Sequence, residues 1–136
     1  MYHMTNVDKF NPTLKNYEAL DLSFKLFENL DYQKENDIVS FYRCDFRGSH
    51  FENCVFSKNP FGRADFIDVY VYGSKFIEVN WGSCLFENAM FDNVVFLKNQ
   101  YRGVAARYSH FKNCTFQIHT TGPPGKSPKM KILTEK

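Results

Sequence analysis

The four cysteines and four histidines carry the most versatile chemistry in this chain. Protein zinc sites use closely spaced pairs such as CxxC or CxxH, and Cys44, Cys54, Cys84 and Cys114 form no such pair. The sequence therefore predicts no metal site and no cofactor.

Other catalytic motifs are equally weak. His50 and His110 are sixty residues apart, and we expect each to be an isolated surface histidine. Gly125–Ser127 has the end of a phosphate-binding loop, but Thr120 stands where its first glycine should be. Asn113–Thr115 is a glycosylation sequon that matters only in a secreted protein. We expect a protein that is not an enzyme and has no small-molecule substrate.

A period of five residues organises the chain from Phe41 to Phe116. Neither an α-helix nor a flat strand has this period, so it predicts a repeat architecture. A smaller residue stands two positions before each large central residue, and all four cysteines occupy this small position. Both should point inward, because aromatic rings leave room only for small neighbours. The predicted core includes Phe46, Phe56, Phe66, Phe76, Phe86, Phe91, Phe96, Phe111 and Phe116.

Two segments, Cys44–Gly48 and Ala64–Asp68, match the repeat of a known family closely. Together with the five-residue period around them, these segments resemble the pentapeptide-repeat family, and the resemblance extends from Val39 to Ile118. It implies an all-β solenoid, a right-handed quadrilateral β-helix in which four repeats form one 20-residue coil. We expect about four regular coils and an irregular N-terminal coil.

Similar segments at different places in the sequence test the coil length. Ser49–Phe56 recurs as Ser109–Phe116 sixty residues later, a multiple of twenty. Phe51–Asn53 recurs as Phe86–Asn88 thirty-five residues later, which is not. The longer match favours four-sided coils.

Stacked coils of this kind separate the cysteines. The coil spacing should be about 4.8 Å, so cysteines on one face, two or three coils apart, lie beyond disulfide reach. Buried free thiols fit a reducing compartment. The chain has no long apolar run, and Met1–Asn16 has no signal-peptide core. We therefore expect a cytoplasmic protein without a membrane partner.

The repeat divides the chain into three parts. We predict an N-terminal cap segment over residues 1–19, the β-helix over 20–118, and a disordered, basic Pro/Gly tail over 119–136. Weak repeats centred on Leu22, Phe27 and Tyr32 suggest an irregular first coil, with a one-residue slip between Gln33 and Ile38. The alternative is one amphipathic helix over residues 12–30, and a short helix from Pro12 could lie in the cap.

Four-sided coils assign the central residues to four faces. The first face has Phe41, Phe61, Trp81 and Tyr101; the second has Phe46, Phe66, Phe86 and Ala106; the third has Phe51, Val71, Phe91 and Phe111; the fourth has Phe56, Phe76, Phe96 and Phe116. On the second face, Asp45 and Asp65 stack beside Arg47 as an exposed charge ladder of little consequence.

The third and fourth faces have outward apolar residues, which we predict to be an interaction surface. Its members are Val55, Ile77, Val95 and Leu97 on the fourth face and Tyr70, Tyr72 and Met90 on the third. The alternative is that the N-terminal segment folds back and covers the fourth face. A second alternative is that Val and Ile merely suit a β-strand.

The charge of the repeat body helps to distinguish between possible functions. Residues 39–118 have nine Lys or Arg against seven Asp or Glu, and the whole chain has a net charge of +2. We expect a non-catalytic scaffold that binds a protein partner, a second copy in a homodimer being one version. The resemblance offers an alternative, a DNA mimic that binds DNA gyrase and confers quinolone resistance, but a nearly neutral surface disfavours it. The basic tail is a weak signal for nucleic acid. Phe111–Phe116 also resembles the luminal repeat domain of synaptic vesicle glycoproteins, and the missing signal peptide weighs against that class.

Overall fold

In the part of the chain that the structure describes, fourteen short strands wind into a solenoid. The computed structural model describes residues 7–34 and 38–117, together with the backbone of 130–133. The strands are β1 Asp8–Lys9, β2 Lys25–Glu28, β3 His50–Glu52, β4 Val55–Ser57, β5 Asp65–Ile67, β6 Tyr70–Tyr72, β7 Lys75–Ile77, β8 Leu85–Glu87, β9 Met90–Asp92, β10 Val95–Leu97, β11 Val104–Arg107, β12 His110–Lys112, β13 Thr115–Gln117 and β14 Met130–Leu133.

All strand pairs are parallel, and the pairs among β3 to β13 keep the predicted register of twenty residues, whereas β14 pairs with β11 at an offset of 26, Val104 lying beside Met130. The second face is the sheet β5-β8-β11-β14, the third is β1-β2-β3-β6-β9-β12, and the fourth is β4-β7-β10-β13. The first face has only single bridges, such as Pro60 to Asn80 and Asn80 to Gln100. The predicted fold, an all-β quadrilateral β-helix, is confirmed, with about five turns.

Every corner between described faces bends through a left-handed residue two positions after the central one. Their φ angles lie between 51° and 74°, and most of these residues are not glycine. Asn, Asp and Gly adopt this conformation most readily, and other residues do so at some cost. The corners are also bonded between coils, since Asn53 N donates to Tyr72 O at 2.9 Å. The next residue then points inward, which is why it is small.

The interior is a set of aromatic columns. Along the fourth face, Tyr32, Phe56, Phe76, Phe96 and Phe116 stack with ring centroids 4.5–5.6 Å apart. Offset stacking at this distance adds stability to the burial of ring area. The predicted core residues Phe46, Phe56, Phe66, Phe76, Phe86, Phe91 and Phe96 are fully buried. Phe111 is only half-buried and Phe116 is 39% exposed, because they belong to the last regular coil.

The N-terminal coil is real, but its irregularity differs from the prediction. Tyr17 stacks on Phe41 and Tyr32 on Phe56, so this coil is twenty-four residues from the next. Nine residues from Tyr32 to Phe41 replace the usual five, and they span one corner with an insertion of four. The predicted one-residue slip is therefore wrong. The helix over residues 12–30 is also wrong, because strand β2 and β-bridges occupy that segment.

Residues 7–34 close the end of the stack. Strand β1 pairs with β2, and the Phe10 ring lies 4.3 Å from that of Phe27. In the segment predicted to be a disordered tail, Met130–Leu133 form strand β14, which pairs in parallel with β11, while the division of the chain into three parts stays a prediction. The rest of 119–136 lies outside the described residues.

Candidate interaction faces

The fourth face has the predicted apolar stripe in register. Its outward row before the central residues is Val55, Lys75, Val95 and Thr115, and the row after them is Ser57, Ile77, Leu97 and Gln117. Val55, Ile77, Val95 and Leu97 are partly exposed. The described residues 7–34 lie on the end of the solenoid, so they do not cover this face as the alternative required.

The third face combines aromatic and acidic side chains. Tyr72 is 41% exposed, whereas Tyr70 and Met90 are partly buried. Glu52 and Asp92 lie one coil to either side of Tyr72 in the same outward row. Burial, followed by the charges of Asp92 and neighbouring groups, raises the pKa of Tyr70. This face is therefore apolar along one row and mostly acidic along the other.

The two histidines differ more than the sequence suggested. His50 is 2% exposed, and its ring packs edge-on against Tyr70 at 6.0 Å. Burial lowers the pKa of His50 and favours the neutral imidazole. The predicted surface position is therefore wrong for His50, whereas His110 is exposed.

The thiols bond to the backbone within the core. Cys84 Sγ donates to Phe61 O at 2.7 Å and Cys44 Sγ donates to Tyr17 O at 2.9 Å. Burial raises the pKa of Cys84 to about 12 and that of Cys44 and Cys54 to about 11. All four cysteines are free, and a thiol with such a pKa is a poor nucleophile.

Two buried asparagines stand at the small inward position of the repeat, and in each one both the side-chain oxygen and the side-chain nitrogen form hydrogen bonds. Asn99 Oδ1 accepts from Val79 N and from the Trp81 indole at 3.1 Å, while its Nδ2 donates to Phe76 O at 2.8 Å. Asn59 accepts from Ser57 N and donates to Val39 O. These bonds remove the cost of burying an amide, so the asparagines are structural.

The carboxylate ladder on the second face contains three members, since Asp21 stacks beside Asp45 and Asp65. Burial, then the charge of Asp45, raises the pKa of Asp65, and Arg47 opposes this. Within the described residues, no group of three or more His, Cys, Asp or Glu side chains could hold a metal ion.

The charges are segregated around the solenoid, which the whole-chain charge concealed. Among the side chains that the structure describes, the second and third faces and the corner between them have nine acidic residues against five basic ones. The acids are Asp8, Asp21, Glu28, Asp45, Glu52, Asp65, Asp68, Glu87 and Asp92, and the bases are Lys9, Lys25, Arg47, Arg107 and Lys112.

The opposite half of the coils is basic. Among the described residues, the first and fourth faces with their corners have Lys34, Arg43, Lys58, Arg63, Lys75, Lys98 and Arg102 against Glu18, Asp31 and Glu78. Lys34 Nζ and Asp31 Oδ2 form an ion pair at 3.7 Å. Assigning each charged residue to its predicted face would have revealed this separation.

Comparisons with known proteins agree with the fold. The family model for pentapeptide repeats, with nine copies, matches residues 41–85. A pentapeptide repeat protein from the Arabidopsis thaliana thylakoid lumen is similar in structure, with a TM-score of 0.56 and 20% sequence identity. That match covers 71% of this chain and 61% of the other. A search of curated proteins found no match.

QnrB1, a plasmid-mediated fluoroquinolone resistance protein, is also similar, with a TM-score of 0.51 and 17% identity over 78% of this chain and 49% of the other. The chain thus spans less than two thirds of both structures, and such identities show the fold alone. No helix among the described residues is long and apolar enough to cross a membrane. The nine matched copies over residues 41–85 and the shared solenoid fold show that this chain contains pentapeptide repeats.

Proposed function

We propose that this chain is a non-catalytic scaffold that binds a protein partner through its third and fourth faces. The observation that carries the proposal is the register of partly exposed apolar side chains on these two adjoining faces. Ile77, Leu97, Tyr72 and Met90 project from a rigid wall of paired strands. Preformed flat surfaces lose little conformational freedom on binding, which favours recognition.

The reactive side chains support binding over catalysis. The thiols donate to backbone carbonyls and their pKa values are raised, so they serve the core. Buried free thiols also fit a reducing compartment, so we propose the cytoplasm as the location.

Affinity capture from an extract of the native host tests this function. The wild type, Val95→Asp and Arg102→Glu should be used as baits, since Val95 lies on the fourth face and Arg102 on the first. We expect Val95→Asp to lose proteins that the other two baits retain, because a carboxylate in an apolar contact is costly to bury. Identical captures by all three baits would contradict the proposal.

Gyrase binding is the competing function, since QnrB1 is a fluoroquinolone resistance protein of similar fold. The acidic second and third faces favour it, but Arg47, Arg107 and Lys112 interrupt the acidic surface. A supercoiling assay with a quinolone decides between the two. Protection of gyrase by this chain at saturating concentration would favour the competing function.

A further inference from the structure

The third and fourth faces complement each other in charge and in apolar character. The third face has Glu28, Glu52 and Asp92 beside Tyr72 and Met90. The fourth face has Lys75 within its row of Val55, Val95, Ile77 and Leu97, with Lys58 and Lys98 at its far corner. The fourth face is therefore apolar and basic, and the adjoining third face is apolar and acidic. The third face of one copy thus complements the fourth face of another.

The corner between these two faces has no charge in any described coil. It consists of Asn29, Asn53, Gly73, Asn93 and Asn113. Each of the other three corners has a charged residue: Arg43 and Arg63 on the first–second corner, Asp68 on the second–third, and Lys58, Glu78 and Lys98 on the fourth–first. A rotation axis brings identical residues together, and like charges there would repel one another.

Adjoining faces of a quadrilateral coil stand about at right angles. If the third face of one copy lies on the fourth face of another with parallel solenoid axes, the copies are related by a quarter turn. Four such turns close a ring, with the uncharged corners along its axis. We propose that four copies of this chain form this ring, each binding its neighbour through the third and fourth faces.

The ring fixes which side chains meet. Neighbouring copies run the same way around parallel axes, so the contacting strands are antiparallel and each coil meets its equal. Leu97 then lies against Met90, and Ile77 against Tyr70. Lys75 lies over Tyr72, and the carboxylates of Glu52 and Asp92 are about 4.8 Å below and above it. The same register places Asp92 against Val95 and Glu52 against Val55, so the apolar pairs lie along one row and the charge attraction rests on Lys75.

One contact of this kind is small. Three outward residues span about 10 Å and four coils span about 20 Å, so one contact buries less than the roughly 1,200 Å² of a typical specific interface. Closure gives each copy two contacts, which makes the ring more stable than an open dimer or trimer. We therefore expect a monomer–tetramer equilibrium with little of either intermediate.

Sedimentation equilibrium over a wide concentration range gives the first test. The expected species have the 16.0 kDa mass of the chain and four times that mass. Added salt should shift the equilibrium toward monomer, because it screens Lys75 from its acidic neighbours. A monomer at every concentration, or a dimer as the largest species, would overturn the ring.

A pair of one-face variants gives the second test. Leu97→Asp disables the fourth face and Met90→Asp disables the third, so each variant alone should be monomeric. Mixed together, they retain one working face of each kind and can form nothing larger than a heterodimer, which its single contact should populate only at concentrations well above those at which the wild type forms the tetramer. Association that neither variant weakens would show that other surfaces carry it.

Two further variants keep this test decisive. Arg63→Glu, on the first–second corner, should form the tetramer normally. Lys75→Glu places an acid between Glu52 and Asp92 and should give monomer, and it serves if either Asp variant fails to fold by circular dichroism. A tetramer of Lys75→Glu as stable as that of the wild type would contradict the ring.

The ring rests on the proposed function, because it names a second copy as the partner. The two can fail separately. A monomeric wild type that captures a host protein, when Leu97→Asp does not, would refute the ring and leave the interaction function intact.

Discussion

The aromatic rings at the two ends of the solenoid are covered to different extents. At the N-terminal end, Phe10 is 6% exposed and its ring lies over Phe27, so the aromatic column ends beneath a side chain of its own chain. At the other end, Phe116 stacks on Phe96 at 4.5 Å yet remains 39% exposed. Within the described part of the chain, strand β14 extends the second face at that end.

This difference shows how stability is distributed in a repeat protein. Each coil is held by its neighbours, so an interior coil has two supports and a terminal coil one. A core aromatic residue should therefore contribute most to the free energy of unfolding in a middle coil, less in the N-terminal cap and least at the C-terminal end. Four substitutions in the repeat body and cap test this order.

Phe86→Ala, in the middle of the stack, should have the largest effect. Phe86 is 1% exposed and packs against the rings of Phe66, Trp81 and Phe91. Removal of a buried ring leaves a cavity and should lower the free energy of unfolding by about 3–5 kcal/mol, measured in urea. A loss under 1 kcal/mol would show that the inward register is wrong.

Phe10→Ala should have the next largest effect and lower the free energy of unfolding by about 2 kcal/mol. The stacked rings of the core contact only one side of the Phe10 ring, so its removal loses fewer contacts. Hydrogen exchange locates the loss. We expect faster exchange for backbone amides of Lys25–Glu28 and little change near Phe86. Uniformly faster exchange would mean that the cap stabilises the whole solenoid equally.

Phe116→Ala should cost about 1 kcal/mol, since much of this ring is already in solvent. Thermal unfolding of Phe116→Ala and Phe10→Ala measures how much stability each end of the solenoid contributes. A larger loss for Phe116→Ala would show that the C-terminal end is covered in solution, and the comparison of ends would then fail.

Arg102→Ala should have the smallest effect, within about 0.5 kcal/mol of the wild type. Arg102 is exposed on the first face, one residue after the central Tyr101. It is the matched outward control for the three ring substitutions. A loss similar to that of Phe116→Ala would mean that outward residues also stabilise the coils.

Much of the candidate site followed from the repeat alone. The outward positions of Val55, Ile77, Val95 and Leu97 depend only on the five-residue period and the four-sided coil, and the strand register confirms both. Their role in binding stays a prediction. The burial of His50 could not be predicted, because it depends on the packing of Tyr70 from the next coil.

The sequence by itself determined the coil length, the register and the central core, because every coil repeats the same local pattern of one large and one small inward residue. The tertiary structure decided what breaks the period. The four-residue insertion before Phe41, the cap formed by Phe10 and the pairing of β14 depend on contacts between distant residues. The separation of acidic from basic faces belongs instead with the repeat, since the five-residue period and the four-sided coil already assign each charge of the repeat body to a face.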